Sequence, residues 1–293
     1  MTSAPKGEPG RAWGDTYFAE DLAEALRELD QRVSVVSRAG AGAAERETDD
    51  VVVVLRGLRR VHPRRGNATW LLWVISHPEL VDADEPRDFD AIFAASNTWG
   101  RDARVPVTPL LQATDPARFH PREAQAPWKG RVLFVGNTRG EYRPIVRDAI
   151  AVGAEPMVYG SGWGGLIPDE LWCGQFLPND QLPLAYASAR VVLNDHWGDM
   201  AEAGFLSNRL FDAVGAGAAV ISDPVRGLVD VFGDVVRVSR DAADLAHLLG
   251  PDGDLPSVAE RRDAATRVAS EHSFVDRARV LLDTVTRLRG VDD

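Results

Sequence analysis

A single cysteine, Cys173, in 293 residues excludes an internal disulfide framework and leaves too few thiols for a cysteine-rich zinc site. Lysine is almost missing as well: Lys6 and Lys129 are the only two among 33 cations, a bias most simply read as GC-rich coding. No apolar run approaches the roughly 18 to 20 residues of a membrane span, and the N-terminus lacks the apolar core of a signal peptide, so a cytoplasmic protein without a transmembrane segment is expected. Positive charge is in short supply, with 33 basic against 44 acidic residues and a net charge of −11. That balance argues against a nucleic-acid backbone as the main partner, because counterion release needs clustered cations. Any anionic ligand must be met locally.

What the chain does contain is enough apolar material, 45% of residues, for two medium cores. Helical spacing of Phe18, Leu22, Ala25, Leu26 and Leu29 predicts a first helix that starts near Thr16. Apolar runs at 33–36, 51–55, 70–75 and 91–94 follow, nearly continuous as in strands covered on both faces of a parallel sheet. The Pro-rich, charged stretch FHPREAQAPWKG (119–130) reads as a linker, which places an N-terminal domain at 1–125 and a C-terminal domain at 126–293. Beyond it, strands are expected at 132–135, 157–159, 175–177, 191–194, 219–222 and 235–238, alternating with helices as in a second doubly wound domain. The last helix carries Phe274, Ala278, Leu281, Leu282, Val285 and Leu288 on one stripe and must dock on something. Nucleotide-type α/β domains open with a buried strand, but the residues before Gly14 contain none. Either the true start lies upstream or the first sheet lacks a central strand.

Two stretches carry chemistry. In VLFVGNTRG (132–140) a strand delivers Gly136, Asn137, Thr138 and Arg139 to a turn before a helix, where backbone N–H groups, a helix dipole and a guanidinium suit a phosphate. The same residues also fit a plain strand-to-helix turn. In SNRLFDAVGAG (207–217), at about 100° per residue, Asn208, Arg209 and Asp212 share one face while Leu210, Phe211 and Val214 take the other. With Ser207 as N-cap, that end suits a diphosphate and Asp212 a ribose; the alternative is a capped surface helix with an Arg–Asp pair. His77 before Pro78 and His196 in NDHWGD (194–199) each stand at a strand end, as ligand contacts or as satisfied structural histidines. YGSGWGG (159–165), which begins with Tyr159, reads as a lid or as a turn-rich loop.

SNRLFDAVGAGAAVISD (207–223), preceded by GQFLPNDQLPLAYASARVVLND (174–195), resembles the donor-binding half of group 1 glycosyltransferases of the GT-B fold, in particular the spore-maturation, CgeB-like branch. FVGNTRG (134–140) and EHSFVDRARVLL (271–282) extend the likeness, and WGDTYFAEDLAEAL (13–26), WVISHPE (73–79), FDAIFAASNTW (89–99) and QATDPARFHP (112–121) follow in the family's order. Nearly the whole chain is covered.

The resemblance implies two Rossmann-like doubly wound domains facing across a cleft, with the last helix crossing back to the first domain. It implies transfer of a sugar from a nucleotide diphosphate-sugar to an acceptor that is a glycan, a small molecule or a protein. Retention of configuration is the usual outcome, without metal or further cofactor, since the D-x-D triplets at 82–84 and 88–90 lie away from the diphosphate site. Gly136, Asn137 and Arg139 would line the diphosphate loop, Phe176 and Leu177 the nucleobase, and Ser207, Asn208 and Arg209 the helix end, with Asp212 on the ribose. Tyr159 and His196 would complete the donor pocket. His77 would face the donor sugar beneath a loop formed by Gly14 and Asp15, while Arg139 and Arg209 neutralise the departing diphosphate. One departure stands out: the family's second glutamate is Gly204 here, with Glu202 the nearest carboxylate. Two other readings share the fold, a non-catalytic nucleotide- or glycan-binding module and a sugar-nucleotide epimerase.

Overall fold

A computed structural model describes residues 1–2, 4–7, 10, 13–40, 48–63, 66–101 and 105–290. In chain order its first elements are α1 (Gly14–Glu28), β1 (Val51–Arg56), β2 (Thr69–Val74), β3 (Ala91–Ala94), β4 (Val107–Pro109), β5 (Val132–Val135), α2 (Pro144–Ala151), β6 (Met157–Tyr159) and β7 (Trp172–Gly174). There follow α3 (Leu182–Ser188), β8 (Val191–Asn194), α4 (Gly198–Ala203), α5 (Asn208–Gly215), β9 (Val220–Ser222), α6 (Leu228–Phe232), β10 (Val236–Val238), α7 (Ala242–Leu249), α8 (Val258–Glu271) and α9 (Phe274–Arg289). They form two compact units.

The first unit joins Met1–Gln112, Trp197–Leu206 and Ser273–Asp293. Its sheet is all parallel in the order β1-β2-β3-β4. The continuous apolar run of β2 has the expected cause, for all six of its residues are buried. On α1 the predicted stripe faces inward, and Phe18 meets Trp73 of β2 and Phe274 of α9 edge-on at 5.3 and 4.9 Å between ring centroids. Ser273 and Asp276 close a capping box that starts α9 where the aromatic contact needs it. Arg277, buried on the same helix, donates to the carbonyls of Leu111 and Gln112 at 2.8 and 3.1 Å.

Among the described residues ahead of α1, no strand forms, and Thr2 makes only isolated bridges. Residues 33–36, expected as a strand, form no ladder; the contact at their end is the Thr2 N–H to the Val36 carbonyl, beside the bridge of Thr2 to Ser37. The short strand β4 was not foreseen, since it lacks an apolar run of its own. The D-x-D residues are a surface ion cluster: Arg60 pairs with Asp82, Asp84 and Asp88 at 3.1 to 3.3 Å.

The second unit joins Ala113–His196 and Ser207–His272 around a parallel sheet ordered β10-β9-β8-β5-β6-β7. Its core is the run of buried apolar residues that the strands bring together, with Phe134, Val158, Leu193, Ile221 and the fully buried Trp163 among them. The strand expected at 175–177 lies instead at Trp172–Gly174, where Trp172 can anchor it by donating to the Gly160 carbonyl at 2.9 Å. The chain enters this unit at Ala113, ahead of the 119–130 stretch. Thr114 donates its hydroxyl to Asp212 at 2.8 Å and Phe119 stacks on Tyr186, so residues 113–121 pack with the second sheet. Strand order reverses between β5 and β8, and a crevice at the carboxyl ends of such a pair is where open α/β sheets hold ligands.

Candidate active site

The switch point of the second sheet sets the site. β5 ends in Gly136, whose amide donates to the Tyr159 carbonyl at 2.7 Å and whose carbonyl accepts from Trp163 Nε1 at 2.8 Å. A Cβ at Gly136 would lie 2.8 Å from Arg143 Nη1 and 3.0 Å from Arg209 Nη2, so a side chain there would push these guanidinium ends away from the turn. These guanidiniums also share the ring of Phe134, their carbons 4.6 and 5.2 Å from its centroid. Arg139 closes the same turn in a left-handed conformation (φ 63°) and reaches the Asp195 carbonyl at 3.4 Å. Burial, then the neighbouring Arg209 charge, pulls its guanidinium down to about 10. Three cations thus converge on one glycine turn, where their mutual repulsion favours anionic partners.

Each cation is held differently. Arg143, buried at the N-cap of α2, forms an ion pair with the buried Asp195 and donates to the Asn137 carbonyl at 3.0 Å. Burial, followed by the charges of Arg209 and Arg139, lowers its affinity for the proton. Arg209 instead takes the neutral acceptor Asn194 Oδ1 at 2.8 Å. Asn194 ends β8 fully buried, and its amide donates to Ser222 at 2.9 Å.

The helix end meets the same strand ends. Ser207 sits at the N-cap of α5, as expected, but its hydroxyl donates to Asn194 Oδ1 at 2.7 Å rather than capping the helix. The first turn of α5 therefore has no side-chain cap, and of its N–H groups that of Leu210 donates to the Ser207 carbonyl at 3.0 Å. Asn208 donates to Asp212 at 2.8 Å, while its own Oδ1 is buried with no hydrogen-bond partner. The carboxylate of Asp212 also receives the Thr114 hydroxyl, so it fastens residues 113–121 to α5 beyond any i, i+3 contact with Arg209. Asp212→Ala should consequently cost the apoprotein about 1.5 to 3 kcal/mol rather than a few tenths, readable by urea unfolding; a loss below 0.5 kcal/mol would show that the Thr114 bond carries little.

His196, also buried, is structural in its contacts. Its Nδ1 bonds Asp223 Oδ1 at 2.7 Å and its backbone N–H donates to Asp223 Oδ2 at 2.9 Å. Its Nε2 accepts the Ser207 N–H at 3.0 Å, so the ring is neutral with its proton on Nδ1. Burial, the largest influence, pulls His196 below its ordinary 6.5 despite Asp223, and for Asp223 the His196 bonds outweigh burial to hold the carboxyl below its ordinary 3.8. Folding thus excludes a proton that the unfolded chain takes up below pH 6.5, so the stability this group allows at pH 7.5 declines as the pH falls to 5.5. The contribution of Asp223 is present above 3.8 and fades only as the pH falls below that value. Urea unfolding at both pH values should show a smaller pH effect in His196→Asn than in the wild type; equal effects would assign the proton elsewhere.

The remaining predicted residues divide. Asn137 lines the turn, but its side chain is spent on the Ser161 N–H at 2.8 Å. Tyr159 ends β6 half-buried, Leu177 is buried, and Phe176 is 68% exposed, an open aromatic face. Gly14 and Asp15 are the first two residues of α1, in the first unit. His77 is in that unit too, left-handed (φ 52°) after β2, its Nδ1 3.4 Å from Glu79 and its ring 5.4 Å from Trp197. His77, Glu79 and Asp199 place three donor atoms within 4.8 Å of one another, close enough for a cation, although they are not consecutive in the sequence. Gly204 caps α4 at φ 72°, where a glutamate would be strained, and Glu202 is exposed on that helix.

Arg143, Asp195 and Asp223 escaped sequence reasoning. The available signal was a charged residue at the edge of each buried apolar run.

Residues 143–283 match the family model described as "Glycosyl transferase-like". The chain has the GT-B fold of solved glycosyltransferases. Solved structures with this fold include AviGT4, a glycosyltransferase involved in avilamycin A biosynthesis, with 20% identity and a TM-score of 0.66 over 99% of this chain and 96% of that one. A glycosyltransferase from Rickettsia africae ESF-5 is similar over 92% of this chain and 81% of its own, at 11% identity and a TM-score of 0.56. The pneumococcal O-GlcNAc transferase GtfA, solved with UDP and GlcNAc, has 12% identity and a TM-score of 0.54, with coverage of 86% and 59%. No curated protein matches the sequence. No described helix of this GT-B protein is long and apolar enough to cross a membrane.

Proposed function

We propose that this protein transfers a sugar from a nucleotide diphosphate-sugar, held on the second unit, to an acceptor met by the first. The observation that carries the reading is the pair of guanidiniums, Arg143 and Arg209, sharing the Phe134 ring at the Gly136 turn of the sheet's switch point. Asp195 answers the Arg143 charge, whereas Arg209 rests on the neutral Asn194 and calls for an anion, and the N-terminus of α5, which has no side-chain cap, attracts one too. A diphosphate satisfies both. Asp212 and the orphaned Asn208 Oδ1 are acceptors for ribose hydroxyls, and the exposed Phe176 ring is a surface for the base. The resemblance to the spore-maturation branch of group 1 enzymes agrees with this order along the chain.

In this reading the chemistry is front-face substitution with retention. Arg139 and Arg209 stabilise the charge that develops on the departing diphosphate, and that group takes the acceptor's proton, so no metal is needed for the step. Calorimetric titration with UDP, GDP and TDP, beside the matching nucleosides, tests the donor site. A diphosphate that binds at least tenfold tighter than its nucleoside is expected, as is slow hydrolysis of the matching nucleotide-sugar in the presence of a chelator. Binding without hydrolysis or transfer would leave a non-catalytic module, and isomerised sugar an epimerase.

A further inference from the structure

Beyond the end of β2, three metal-ligating side chains meet inside the first unit. His77 and Glu79 belong to the turn that follows the strand, and Asp199 to the first turn of α4, which packs against the Pro78–Leu80 segment of that turn. One donor atom from each lies within 4.8 Å of the other two. His77 Nδ1 and Glu79 Oε1 stand 3.4 Å apart, wider than an ordinary N–H···O hydrogen bond. Two atoms that are each about 2.0 to 2.1 Å from one tetrahedral ion stand roughly 3.4 Å from each other, so this edge already has the width of a metal site.

A second observation comes from Asp199 itself. Its Oδ2 is buried and has no hydrogen-bond partner. A carboxylate oxygen in that position has given up water without gaining a donor, which costs free energy until a positive group meets it. One imidazole and two carboxylates bring two negative charges, which a divalent ion cancels. The imidazole then selects among such ions. Ca²⁺ and Mg²⁺ take shells of oxygen, whereas Zn²⁺ and its neighbours in the transition series accept mixed nitrogen and oxygen donors. Three protein ligands leave one tetrahedral corner for water.

We propose that His77, Glu79 and Asp199 bind one divalent transition ion of the zinc type, with water as the fourth ligand. The ion fastens the inserted stretch Trp197–Leu206 to the turn after β2. The far end of that stretch is already held, for Ser96 donates its hydroxyl to the Ala203 carbonyl at 2.6 Å and the fully buried Phe205 meets Trp99 edge-on. The ion adds a matching attachment at the near end, where the Trp197 ring lies 5.4 Å from that of His77. All three ligands belong to the first unit, so the site is independent of the diphosphate reading of the second.

The test is calorimetric titration of the full chain, free of affinity tags and stripped with a chelator, with Zn²⁺ alone. One ion per chain is expected, with Tm raised by about 5 °C at saturation and visible d–d absorption when Co²⁺ takes the place of Zn²⁺. Glu79→Gln, at an exposed position that the fold should tolerate, should weaken Zn²⁺ binding about tenfold or more, and so should Asp199→Asn. His77→Asn should do the same, because asparagine accepts the left-handed backbone but supplies no imidazole. Melting of each variant in chelator checks that it is folded. Unchanged Zn²⁺ affinity in Glu79→Gln would overturn the proposal, as would the absence of Zn²⁺ binding by the wild type. Tighter binding of Ca²⁺ or Mg²⁺ than of Zn²⁺, or a His77→Asn variant as good as the wild type, would refute the assignment of the imidazole as a ligand.

Discussion

Replacing Arg209 with Ala should weaken binding of a nucleoside diphosphate by about 10- to 150-fold and leave the bare nucleoside almost unaffected. The guanidinium rests on neutral Asn194 and on the Phe134 ring, so its charge remains available to a ligand anion. Losing one charge-assisted contact to phosphate costs about 1.5 to 3 kcal/mol, of which the nucleoside feels nothing. The fold should tolerate the change, since no buried carboxylate is left behind. Calorimetry with both ligands reads the outcome. Parallel losses for diphosphate and nucleoside would mean that Arg209 shapes the pocket rather than meeting the phosphates, and unchanged affinity for both would move the donor site elsewhere.

Arg143, beside it, should behave in the opposite way. Its partner Asp195 is buried, so Arg143→Met strands a carboxylate in the interior and should cost about 3 to 5 kcal/mol of stability. The double variant Arg143→Met, Asp195→Leu removes both charges and should recover most of that loss while still binding diphosphate poorly. Urea unfolding of the single and double variants measures the difference. A single variant within 1 kcal/mol of the wild type would show that water reaches Asp195, and a double variant no better than the single would assign the loss to the Asn137 loop, which Arg143 also holds.

The contrast between these neighbours shows what the sequence could and could not say. VLFVGNTRG announced a strand, a glycine turn and a cation because all three are consecutive, and SNRLFDAVGAG disclosed its polar face through helical spacing alone. Strands β6 and β8 could be bounded to the residue, since β-branched runs end sharply at polar residues. Pairings between distant segments were invisible: Arg143 and Asp195 are 52 residues apart, and Thr114 and Asp212 are 98 apart. Nothing local in either member specifies the other. The same holds for Ser207, whose hydroxyl a local rule assigns to the helix and the fold assigns to Asn194. Residues 33–36 show the converse failure, for a run with strand propensity stays unladdered where the fold gives it no strand to pair with among the described residues.

The first unit is assembled from three stretches, the last of which begins at Ser273. During synthesis, α1 therefore leaves the ribosome long before α9, whose Phe274 is the partner of Phe18. At about 5 to 20 residues per second, the roughly 250 residues between them leave that apolar face waiting for tens of seconds at the slower rate. Every residue of the second unit has emerged by then. The order of completion thus runs against the order of translation, with the unit that is begun first finished last.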